Sequence, residues 1–187
     1  MPATDSAARP RPRRRLRSAS TRNIEANILA PMRWLLLALA FFTLPSPAQE
    51  VPQWFTLSFL DIREDLADAA REGKRLMIYF HQDGCPYCEK LVTVNFRDPK
   101  IVAKMRRHFS SVDIDIFSDR EVTWTDGRKM TEKQLAALLK VRYTPTLVFF
   151  DEKGAVAARI DGYLQPDRFS AALDAATVAR AGVDLTN

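Results

Sequence analysis

The chain has 187 residues, with 28 basic and 23 acidic side chains, a formal charge of +5 and a pI near 9.4. Its surplus charge sits in the first 48 residues, where eight arginines face only Asp5 and Glu25, so residues 49–187 hold 20 basic and 21 acidic side chains. That balance excludes the basic, aromatic-interleaved surface of a nucleic-acid binder, and two cysteines in all exclude a disulfide-stapled scaffold.

Residues 1–31 are rich in Pro, Arg, Ser and Ala, show neither helical nor strand period, and are expected to be disordered. Met32-Arg33 leads directly into the apolar run Trp34–Leu44, which is shorter than the roughly 20 residues a spanning helix needs. Ser46-Pro47-Ala48 then supplies the small residues of a signal-peptidase site. Arg13-Arg14-Arg15 stands too far from this run, with Glu25 between, to serve as a twin-arginine signal. Residues 1–31 are therefore expected to be an Arg/Pro-rich extension from an over-extended start, with Met32 the natural one. Residues 32–48 are a signal peptide cut after Ala48, an uncleaved anchor being the alternative, and 49–187 are one domain long enough to bury a core.

From Ile62 to Glu72, apolar residues at Ile62, Leu66, Ala69 and Ala70 follow helical spacing, and Gly73 ends the helix. Arg75–Phe80 reads as a strand, and the loop His81-Gln82-Asp83-Gly84 leads to a helix whose first turn carries Cys85-Pro86-Tyr87-Cys88. Asp98-Pro99 opens a further helix with Ile101, Val102 and Met105 on one face, followed by a strand from Phe109 to Ile116. Val122-Thr123-Trp124-Thr125 before Asp126-Gly127 predicts a hairpin with a two-residue turn. Thr131 and Gln134 make a capping box for the helix carrying Leu135, Leu138 and Leu139. Strands Thr146–Phe150 and Val156–Asp161 follow, and a last helix from near Pro166 buries Phe169, Leu173 and Ala176. The order αβαβαββα predicts an α/β fold, a central mixed sheet with helices on both faces.

Cys85 and Cys88 are three apart and have no other thiol to pair with, which reads as a redox couple. At a helix N-terminus, unpaired N–H groups and the macrodipole favour the Cys85 thiolate, and Cys88, one turn on, can resolve the mixed disulfide it forms. Two other readings stand beside this one. A structural staple would remove little unfolded-state entropy from so short a loop. A metal site could recruit His81 with Cys85 and Cys88, although no second Cys/His pair completes four ligands. His81 could also tune the Cys85 thiolate or be an ordinary loop histidine; Tyr87 reads as an exposed rim residue and Lys90 as a nearby positive charge or a solvated one.

The CxxC at a helix start and Tyr143-Thr144-Pro145-Thr146 opening the strand Leu147–Phe150, about 57 residues later, resemble the thioredoxin superfamily. The resemblance runs from about Leu60 to Ala176 and is closest to secreted bacterial thioredoxin-like proteins of the SoxW type. It implies a thioredoxin-like fold, Cys85 as an exposed attacking cysteine, Cys88 as the resolving one, and Pro145 as a cis-proline, with Thr144 before it, forming the edge on which substrate peptides lie. Gly84 replaces the family's tryptophan before the first cysteine, and Tyr79 stands where thioredoxin has a buried aspartate, which leaves the proton acceptor for Cys88 open.

The function so implied is a periplasmic thiol-disulfide oxidoreductase that reduces disulfides of secreted proteins, acts as a monomer, binds no cofactor, metal or nucleic acid, and draws electrons from a membrane thiol transporter of the CcdA/DsbD kind. The alternatives are a Dsb-type oxidase or isomerase and a metallochaperone using His81, Cys85 and Cys88.

Overall fold

The computed structural model describes residues 51–180 and 182–186; the extension over 1–31 and the signal segment 32–48 with its cleavage point lie outside the described residues. Asp61 accepts the N–H groups of Arg63 and Glu64 and so starts helix α1 (Ile62–Arg71). Strand β1 (Arg75–His81) is buried on both faces, which is why its sequence is an almost unbroken apolar run rather than an alternating one. It lies parallel to β2 (Phe109–Asp115) and antiparallel to β5 (Thr146–Phe150). Between β1 and β2 the chain forms α2 (Pro86–Thr93), a 3-10 turn at Asn95–Arg97, and α3 (Pro99–His108), whose cap is the Asp98 carboxylate.

Beyond β2 come a small two-stranded sheet, β3 (Glu121–Thr123) with β4 (Lys129–Thr131), and helix α4 (Glu132–Leu138). The capping box of α4 is formed as predicted: Thr131 Oγ1 accepts the Gln134 N–H, and the Gln134 side chain accepts the Thr131 N–H. Strand β6 (Val156–Asp161), helix α5 (Pro166–Val178) and β7 (Val183–Asp184) complete a five-stranded mixed sheet in the order β2-β1-β5-β6-β7.

Strand alternation divides the core in two. Met77, Tyr79 and Phe149 face α2, α3 and α5, where they meet Leu91, Phe96, Met105, Phe169 and Leu173; Ile78, Phe80, Val148 and Phe150 face α1 and α4, where they meet Ile62 and Leu135. Each fully buried side chain of this size contributes about 1.5–3 kcal/mol, so the sheet is anchored from both faces.

The structure departs from the sequence expectations at several points. His81 is the last residue of β1, opposite Asp115, rather than the first of a loop. The hairpin closes through three residues, with Gly127 at φ 85, because Trp124 both donates to Arg128 O and accepts from Gly127 N; a left-handed glycine at the third loop position replaces the two-residue turn. Leu138 faces solvent, since the core side of α4 is taken by Leu135 and Ala136. Strand β7 and the packing of Trp54 and Phe55 on Phe96 were not anticipated.

Candidate active site

Gly84, at φ 70, turns the chain from the end of β1 into α2, a conformation glycine adopts without steric cost. Cys85 is then the N-cap of α2, Pro86 fills the first helical position where no N–H is needed, and Cys85 Sγ accepts the Cys88 N–H over 3.1 Å. The far side of the sulfur is closed by the segment entering β5. Thr144 Oγ1 donates to Cys85 Sγ over 3.3 Å, and the Cys85 thiol lies 3.5 Å from the Thr144 carbonyl. The Thr144-Pro145 peptide is cis. That segment is braced by Thr146 Oγ1, which bonds Tyr143 O and Asp161 Oδ1, and by the Gly162 N–H donating to Pro145 O. Cys85, Cys88, Thr144 and Pro145, named from two distant motifs, are thus brought to one place.

The two sulfurs are free and differ in burial: Cys88 is fully enclosed, whereas Cys85 keeps 8% of its surface. The expectation of an exposed Cys85 is corrected: the residue is buried, with Thr144 packed against its sulfur. Burial first, and then the Cys85 sulfur beside it, pushes the Cys88 thiol up to about 12. Two donors aimed at Cys85 Sγ, one from the helix N-terminus and one from Thr144, suit it to carry negative charge.

Tyr87 is exposed as expected and stacks on Tyr163, with ring centroids 6.4 Å apart. Lys90 places Nζ 4.7 Å above the same Tyr163 ring, so its charge is engaged at the rim. His81 is buried; its Nε2 lies 3.3 Å from Asp113 Oδ2 and its ring stacks on Tyr79 at 5.2 Å. For the metallochaperone reading, His81 commits Nε2 to Asp113, and among the described residues no trio of His, Cys, Asp or Glu side chains is placed to hold a metal ion. Tyr79 is fully buried, with Phe55 and Phe96 packed edge-on against it.

Sequence reasoning missed the polar chain behind His81. Burial alone would raise the Asp113 pKa, but the hydrogen bond to His81 and the nearby Arg120 guanidinium outweigh it and hold this carboxylate below its usual range. Arg120 in turn bonds the fully buried Glu132 over 2.5 Å. The available signal was Asp113 itself, a carboxylate between the buried apolar residues Val112 and Ile114 of β2.

A two-thiol site at a helix start, set against a strand that opens with a cis-proline, defines a thioredoxin-type redox protein. The chain belongs to the thioredoxin-like domain family, whose profile matches residues 62–177. It is similar to the thiol:disulfide interchange protein DsbD of Salmonella paratyphi A, with 25% identity over 161 residues, covering 84% of this chain and 27% of that one. DsbD of Photorhabdus laumondii is 28% identical over 99 residues, covering 52% of this chain and 16% of that one. The chain therefore spans about a quarter or less of the length of these relatives. Among solved structures, a putative disulphide-isomerase from Bacteroides thetaiotaomicron shares the fold at TM-score 0.53 and 23% identity, over 73% of this chain and all of that one. The chain thus carries the thioredoxin-like domain with a free dithiol at the start of α2. Among the described residues no helix is long and apolar enough to cross a membrane.

Proposed function

We propose that the protein is a periplasmic reductant of secreted proteins' disulfides, of the SoxW type, delivered by the signal peptide at 32–48. Cys85 attacks the client disulfide, the client's first sulfur leaves as a thiolate, and Cys88 then attacks Cys85 Sγ, releasing the second client thiol and leaving a Cys85-Cys88 disulfide. The observation that carries this reading is the placement of Cys85 Sγ between the Cys88 N–H and the Thr144 hydroxyl, two donors on the sulfur that must be an anion to attack. Thr144 and Pro145 offer an extended client the adjoining backbone, by short strand addition that accepts many sequences. Electrons return from a membrane thiol transporter of the CcdA/DsbD kind, a partner supported by the likeness to DsbD.

The reduction potential of the Cys85-Cys88 couple, measured by equilibration with dithiothreitol or glutathione buffers, tests the direction. A reductant falls near the thioredoxin value of about −270 mV; a value near −120 mV would make the protein an oxidant instead.

A further inference from the structure

A thiol pushed up to about 12 has essentially no thiolate at neutral pH, so Cys88 must hand its proton to a base while it attacks the mixed disulfide. Tyr79, on the strand beneath, carries a phenol that is no base at neutral pH. His81, two residues on and on the same face of β1, is different. Its side chain is only 9% accessible, its Nε2 engages Asp113, and its Nδ1 is buried with no hydrogen-bond partner. A neutral imidazole whose Nε2 faces a carboxylate carries its proton there and leaves Nδ1 as a bare acceptor. Asp113 thereby fixes the tautomer that can accept a proton, the same division of labour as in a catalytic triad. The His81 ring stacks on Tyr79, which packs in one core cluster with Cys85 and Cys88, so the imidazole borders the cluster that encloses the Cys88 sulfur.

We propose that His81, oriented by Asp113, is the proton acceptor for Cys88 in the resolving step, with one water bridging Cys88 Sγ and His81 Nδ1. The proposal rests on the assignment of Cys85 as attacking and Cys88 as resolving thiol. As the Cys88 proton passes to Nδ1, the sulfur's electron pair forms the bond to Cys85 Sγ. The Cys85-client S–S bond breaks, the client leaves as a thiolate that takes a proton from solvent, and His81 returns its own proton to solvent. The charged and titratable groups facing His81 are Asp113 and Asp115 on β2, Tyr79 stacked on its ring and, behind Asp113, Arg120 with Glu132; Cys85 and Cys88 share a core cluster with Tyr79. The likeness to known proteins does not supply this role, because the family's aspartate site is occupied here by Tyr79.

Ellman's reagent separates the two steps in the reduced protein: Cys85 releases one thionitrobenzoate as it forms the adduct, and Cys88 releases the second as it resolves it. His81→Gln keeps a donor for Asp113 but removes the base. Its first phase is expected to match wild type within about twofold, and its second phase to slow by about 100-fold, the lower end of what a general base supplies. The variant's second phase should rise about tenfold per pH unit into the alkaline range, as direct ionisation of Cys88 requires, a steeper dependence than that of the wild type. Asp113→Asn should slow the second phase and spare the first. An unchanged second phase, an unaltered pH profile, or equal slowing of both phases in His81→Gln would overturn the proposal. If that variant does not fold, an unchanged second phase in Asp113→Asn overturns it alone. Cys85→Ser, which should lose the first phase, and Cys88→Ser, which should lose only the second, report separately on the thiol assignment itself.

Discussion

The Thr144 hydroxyl donates to Cys85 Sγ over 3.3 Å, joining the start of β5 to a sulfur 59 positions earlier in the chain. The bond matters most when the sulfur is an anion, because a hydrogen bond to a charged acceptor outweighs one to a thiol. Thr144→Val keeps the shape and removes the donor. The rate of Cys85 alkylation by iodoacetamide at pH 7 should then fall roughly 2- to 12-fold, the equivalent of about 0.5–1.5 kcal/mol, with the fold unchanged by circular dichroism. An unaltered rate would show that Thr144 acts through its backbone alone.

Cys88 binds its proton more tightly folded than unfolded, since its thiol rises from 9.0 to about 12 on burial. Between those values the native state holds more protons than the unfolded one, so its contribution to stability is whole below pH 9 and is lost as pH climbs toward 12. Urea melts of Cys85→Ala, in which Cys88 is the single thiol, should show a loss of stability from pH 8 to pH 10.5. The Cys85→Ala/Cys88→Ala protein should show a smaller one; equal losses would place the alkaline sensitivity elsewhere.

Much of this was legible in the sequence because it is local. The cap residues Asp98 and Thr131, the apolar run of β1 and the CxxC at a helix start each depend on neighbours within a few positions. What escaped depends on distant partners. His81-Gln82-Asp83-Gly84 has turn chemistry, and only Asp113, 32 residues on, holds the imidazole inside the sheet. Glu132 reads as a first-turn helix acid suited to solvent, yet it is fully buried because Arg120 reaches over it. Strand β7 is two residues long and exposed, too short to show a period.

The Arg120-Glu132 pair anchors α4 to the chain leaving β2, and its two members are unequally placed: Glu132 is enclosed, Arg120 about half open to water. Arg120→Ala leaves a buried carboxylate without its cation. Stability should fall by about 1–3 kcal/mol, less than for a fully buried pair because the lost partner was partly solvated. Chemical denaturation measures this; a change within 0.5 kcal/mol, roughly the usual range for surface substitutions, would mean that Glu132 finds another partner or takes up a proton.

The proposed signal peptide at 32–48 makes a simple prediction. Protein recovered from its native host should begin near Gln49 and fractionate with the periplasm. Mass spectrometry showing an intact peptide across Ala48-Gln49 in most of the material would contradict cleavage and favour the anchored alternative.

The account stands on the division of labour between the two thiols, and trapping measures it most directly. Cys88→Ser, mixed with insulin as a disulfide client, should accumulate a covalent adduct that mass spectrometry maps to Cys85, since attack survives while resolution does not. Cys85→Ser should form no such adduct and should reduce no insulin. An adduct carried by Cys88 in the Cys85→Ser protein, with Cys88→Ser inert, would reverse the assignment and contradict the mechanism.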